Sequence, residues 1–130
     1  MVFVLRWDYM QAMVVNLKRG WLDFSKPVLQ LFGKLSRNEL VELTSMARSN
    51  DSIQALNAIR LLVLNDRKAA FNVLAAFWER ATEIEITKAQ VILVDLLKCE
   101  DMPITFAIIQ WMGKKQLQPV PELAQELGRL

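Results

Sequence analysis

The run Asp51-Ser-Ile-Gln-Ala-Leu-Asn-Ala-Ile-Arg-Leu-Leu-Val-Leu-Asn-Asp-Arg-Lys-Ala-Ala-Phe-Asn-Val-Leu74 decides the fold. Asp51 is suited to cap a first helix, with Gln54 three residues on, and Asp66 to cap a second. Between the two caps, Ile53, Ala55, Leu56, Ala58, Ile59, Leu61, Leu62, Val63 and Leu64 form a segment that is apolar nearly all round. A helix of that kind needs neighbours on more than one side. Strands over Ile59–Leu64 and Val91–Val94 are the competing reading. Each of these runs lies inside a longer capped segment without a glycine or proline break, so helix is expected for both.

Working outward, the same punctuation recurs. Ser36-Arg37-Asn38-Glu39 and Thr82-Glu83-Ile84-Glu85 both fit the capping box, in which the hydroxyl accepts from the first turn and the glutamate reaches back. Asp101 is a further cap. Caps at 36, 51, 66 and 82 are spaced 15, 15 and 16 residues, about one three-turn helix plus a tight turn each. About eight helices follow. The first two run from Leu5 to Lys18, ended by Gly20, and from Ser25 to Lys34, with Pro27 in the first turn. Next come Ser36 to about Arg48, Asp51 to Leu64, Asp66 to Ala81 and Thr82 to Lys98. The last two run from Asp101 to Met112, with Gly113 as the stop, and from Pro121 to Leu127, closed by Gly128. Lys114–Val120 reads as a linker.

The helix after Asp66 places Phe71, Leu74, Phe77 and Trp78 on one stripe and Asn72, Ala75, Ala76 and Glu79 on the other side. The helix after Thr82 is apolar through Ile86, Ala89, Val91, Ile92, Val94, Leu96 and Leu97. A four-helix bundle would show cleaner stripes, whereas a layered stack buries its central helices on several sides.

Composition narrows the function classes. The chain has 130 residues, 53% of them apolar and 23% charged, which suits one folded domain and excludes disorder. It has no histidine and one cysteine, Cys99. That removes internal disulfides, the Ser–His–Asp and Cys–His arrangements, and every His-based metal site. Met1–Leu5 is apolar, but Arg6 and Asp8 interrupt it before a signal peptide can form. The longest charge-free stretch, Met102–Gly113, has twelve residues, against about 20 for a membrane span. A cytoplasmic protein without a membrane partner is expected.

Sliding the helices after Asp51 and Asp66 by 34 residues places Ala55 on Ala89, Leu62 on Leu96, Val63 on Leu97, Asp66 on Glu100, Leu74 on Ile108, Phe77 on Trp111 and Trp78 on Met112. The preceding pair matches at a shift near 31, with Leu40 on Phe71, Leu43 on Leu74 and Ala47 on Trp78. Two helices per period in the low thirties mark a solenoid. The stretch from Asp51 to Leu62, the turn Asn65-Asp66 and the run Ala69 to Leu74 resemble a short HEAT repeat, and the likeness covers about residues 36–112. Tetratricopeptide repeats fit less well, because their Trp…Gly…Tyr and terminal proline positions are missing.

The HEAT/armadillo resemblance implies an all-α fold, a short right-handed α–α superhelix of stacked antiparallel helix pairs. Residues 1–130 would form one domain, with 1–20 as an N-terminal capping helix, 21–113 as the repeats and 119–130 as a C-terminal cap. The second helices of the pairs would line a concave side and bind a protein or peptide. The surface expected to meet that partner comprises Arg67, Lys68, Asn72, Ala76, Glu79, Lys114 and Lys115. Arg67 and Lys68 stand in a first helical turn against the helix dipole, which a negatively charged partner or plain solvent exposure would both explain. Self-association would satisfy the same excess of apolar surface.

Nucleic acid is the alternative partner. Residues 1–37 hold six basic groups against two acidic ones, a balance of +4 in a chain of net charge +2. The candidate contacts are Lys18, Arg19, Lys26, Lys34 and Arg37. Trp7, Trp21 and Phe24 flank the first two, and aromatic rings with basic groups are the material of single-strand binding. Such aromatics also serve as core. An enzyme with a carboxylate-only site is the third reading. Its candidate pairs, Glu39/Glu42, Glu83/Glu85 and Glu100/Asp101, sit at helix N-termini, where negative charge is favourable in any case. Gly33-Lys34-Leu35-Ser36 lacks the glycine and spacing of a phosphate loop. Cys99 lies near a helix C-terminus, where the dipole disfavours thiolate. No cofactor, no metal and no catalytic residue is expected. Arg60 and Asp95 are charges inside apolar helices one repeat apart. Either they pair across the repeat junction, or each faces solvent, Asp95 beside Lys98.

Overall fold

A computed structural model describes residues 34–130. Six helices run in order: α1 (Arg37–Ala47), α2 (Ser52–Val63), α3 (Arg67–Arg80), α4 (Glu83–Lys98), α5 (Met102–Lys115) and α6 (Pro121–Gly128). No strand occurs among the described residues, and both disputed runs are helical, Ile59–Val63 in α2 and Val91–Val94 in α4. The helices expected over Leu5–Lys18 and Ser25–Lys34 lie outside the described residues, apart from Lys34 itself.

The chain divides into two compact units, one ending at Leu74 and the other running Ala75–Leu130, so the boundary falls inside α3. In the first unit α1 packs on α2. Ser36 and Glu39 close a capping box on α1, with Glu39 N–H donating to the serine hydroxyl (3.2 Å) and Ser36 N–H to the Glu39 carboxylate (2.9 Å). Asp51 accepts from the amides of Ile53 and Gln54 at 3.1 and 3.2 Å. Every residue from Ala55 to Val63 is buried, including Asn57 and Arg60. The all-round apolar pattern of α2 therefore corresponds to all-round burial. Asn65 forms the turn into α3, and its side-chain oxygen accepts the Leu35 amide at 3.0 Å, tying the entry of α1 to the exit of α2. Asp66 caps α3 through the Ala69 amide at 3.1 Å.

In the second unit α4 carries both α5 and α6. Thr82 and Glu85 form the second capping box. Ala89, Gln90, Ile92, Leu93, Val94, Leu96 and Leu97 are buried. Gln90 is the polar member of this core. Its side-chain oxygen accepts the Val120 amide at 2.7 Å and its side-chain nitrogen donates to the Gln118 carbonyl at 3.3 Å. The linker before α6 is thereby fastened to α4, and Leu123 anchors α6 in full burial.

The expected glycine stops are corrected. Gly113 does not stop α5, which continues through it to Lys115. The stop is Gln116, in the left-handed region at φ 51°. The amides of Gln116 and Leu117 return to the carbonyls of Gly113 and Met112, the Schellman closure. Helix-favouring Lys114 and Lys115 outweigh the glycine, which costs a helix only about 0.5–1 kcal/mol relative to alanine. Gly128 likewise ends inside α6. On α3 the expected stripe is buried at Leu74, Phe77 and Trp78 and half-buried at Phe71, with Ala70 and Val73 buried beside it, while Asn72, Ala76 and Glu79 are exposed.

Several of the positions aligned by the 34-residue shift have the same burial. Ala55 and Ala89, Leu62 and Leu96, Val63 and Leu97, Leu74 and Ile108, and Trp78 and Met112 are buried in both members of each equivalent pair. Leu43 and Ala47 are buried, as are their counterparts Leu74 and Trp78.

Candidate interaction surface

α5 begins at Asp101, whose carboxylate accepts the Ile104 amide at 3.3 Å, and Pro103 occupies its first turn. Ile104, Thr105, Ile108 and Met112 are the buried positions. Met102, Phe106 and Ile109 are spaced four and three residues apart, which puts them on a single stripe. They are 56%, 60% and 43% exposed. Gly113 continues the stripe, also exposed. Val41, Ile84 and Leu130 are exposed too, but singly and on other elements, which is ordinary for a protein surface.

Two contacts fix this helix against the second half of α3. The indole rings of Trp78 and Trp111 meet edge to face, with centroids 4.8 Å apart and planes at 84°. Lys115 donates to the Glu79 carboxylate as an ion pair. Phe77 is buried and carries the Arg80 guanidinium 5.4 Å from its ring centre. Ala76 and Glu79 remain exposed on α3.

Of the residues expected to meet a partner, Arg67, Lys68 and Asn72 are exposed and lie in the first unit. Ala76, Glu79, Lys114 and Lys115 are exposed and lie in the second. Glu79 and Lys115 engage each other. Lys34 and Arg37 are exposed, whereas Lys18, Arg19 and Lys26 lie outside the described residues. Arg60 is buried in the first unit and Asp95 half-buried in the second.

One member of each carboxylate pair serves local structure. Glu39 and Glu85 close capping boxes and Asp101 caps α5. Among the described residues no group of three or more acidic or thiol side chains is placed to hold a metal ion. Cys99 is half-buried and its thiol donates to the Asp95 carbonyl at 3.3 Å. No helix among the described residues is long and apolar enough to cross a membrane.

Sequence reasoning passed over Met102, Phe106 and Ile109. The signal was present in the 34-residue shift, which sets Met102 on Lys68, Phe106 on Asn72 and Ile109 on Ala75. Positions that α3 fills with a lysine, an asparagine and a small residue are filled on α5 by large apolar side chains. Comparison with known protein families, with curated proteins and with solved structures gives no significant match.

Proposed function

We propose that the chain is a non-enzymatic interaction module of HEAT-like type, its helix pairs stacked in a short right-handed superhelix, which binds a protein or peptide along the exposed faces of its second helices. The observation that carries this reading is the row Met102, Phe106 and Ile109 on α5. Contiguous apolar side chains left in water mark an interaction site more often than scattered ones do. The recurrence of buried positions at 34 residues supports the HEAT-like architecture. A single cysteine suits a reducing compartment, and we assign the module to the cytoplasm.

The test is a photo-crosslinking residue placed at Ala76, an exposed position on the second helix α3, or at Lys88, an exposed position on α4, in chains expressed in their native cells. Discrete adducts are expected from position 76 and none from position 88, and Phe106→Asp should abolish them. Equal labelling from both positions would overturn the reading. Binding of single- or double-stranded oligonucleotides that weakens steeply with salt would put the nucleic-acid reading in its place.

A further inference from the structure

We infer that the exposed face of α5 pairs with the same face of a second copy of this chain, the two helices running antiparallel about a two-fold axis that passes between Phe106 and Ile109. The inference rests on the interaction-module reading above and names its partner.

The stripe is self-complementary in one register. An antiparallel pairing centred between Phe106 and Ile109 sets each Phe106 against the partner's Ile109. The same register sets each Met102 against the partner's Gly113. The largest side chain at one end of the stripe thus meets the absence of a side chain at the other. Among the described residues nothing packs closely enough on Gly113 to require a glycine. It is helical, it does not end α5, and a Cβ added there would meet nothing within 4 Å. Alanine would suit the isolated helix better. A second helix that inserts a methionine at this point gives the glycine a use.

Charge selects the same orientation. Exposed Glu100 precedes the N-terminus of α5 and exposed Lys114 lies in its last turn. Antiparallel packing brings each carboxylate towards the other chain's lysine and opposes the two helix dipoles. Parallel packing would set like charges together. The contact is isologous, so it closes at two copies. One helix pair buries less than the about 1,600 Å² of a standard interface, so a dissociation constant in the range of about 1–100 μM is expected.

Sedimentation velocity on the full chain over a concentration series tests this. A monomer–dimer equilibrium is expected, and Phe106→Asp should leave only monomer. Because an apolar-to-acidic change can disturb folding, Gly113→Leu provides a second reading. It favours the helix and should keep or raise the melting temperature, yet it should weaken dimerisation about tenfold or more by filling the space for Met102. Glu100→Lys and Lys114→Glu should each weaken the dimer, and their combination should restore it.

Register is read by oxidation in a Cys99→Ser background. Met102→Cys chains mixed with Gly113→Cys chains should form a disulfide-linked heterodimer, and neither should link to itself. A chain that stays monomeric to about 1 mM, the practical limit for weak association, overturns the inference. So does a dimer indifferent to Gly113→Leu, or one in which Met102→Cys links to itself. A monomeric chain that still gives heavier adducts from position 76 would separate failure of self-pairing from failure of the module reading.

Discussion

Trp78 on α3 and Trp111 on α5 meet edge to face at 4.8 Å, one of them buried and the other half-buried. In the 34-residue alignment of the sequence, Phe77 rather than Trp78 falls on Trp111. The contact therefore joins positions of α3 and α5 that this alignment does not superimpose. Together with the Glu79–Lys115 ion pair it fixes the rotation of α5, and with it the side of α5 that carries Phe106 and Ile109.

A double-mutant cycle measures that contact. Trp78→Leu and Trp111→Leu are each expected to destabilise the fold, and the coupling between them should be about 0.5–1.5 kcal/mol, the range for aromatic pairs beyond area burial. Urea denaturation of the four proteins reads it directly. Strict additivity would mean that the two rings share burial but no specific interaction.

Gln90 should hold the C-terminal helix in place. Gln90→Leu keeps the apolar surroundings satisfied but leaves the Val120 amide without its acceptor, at a cost of about 1–3 kcal/mol. Hydrogen exchange should accelerate across α6 and the 117–120 linker while the amides in the middle of α4 keep their protection. Unchanged exchange in α6 would show that Leu123 alone anchors it.

The end of α5 offers a gain in stability. Gln116 sits at φ 51°, where glycine carries no side-chain penalty. Gln116→Gly is expected to stabilise the fold by about 0.5–1 kcal/mol, raising the melting temperature by a few degrees. Gly113→Ala should add a comparable amount, since its new Cβ meets open space. Measurements at concentrations well below dimerisation keep the two effects on folding apart from any on association. A loss of stability with Gln116→Gly would contradict the left-handed assignment.

The sequence by itself determined the local framework. Ser36, Asp51, Asp66, Thr82 and Asp101 cap their helices as their residue types demand, because capping is settled by bonds to amides two or three residues away. The same short range makes the boundaries of the helices from α1 to α4 and the 34-residue recurrence of core positions readable without coordinates. Tertiary structure alone decided two matters. The 34-residue shift marks Met102, Phe106 and Ile109 as large apolar side chains, but that they are left in water was decided by the neighbours of α5 rather than by its pattern. Gln90 bonds to a backbone amide 30 residues away, a pairing that no periodicity announces.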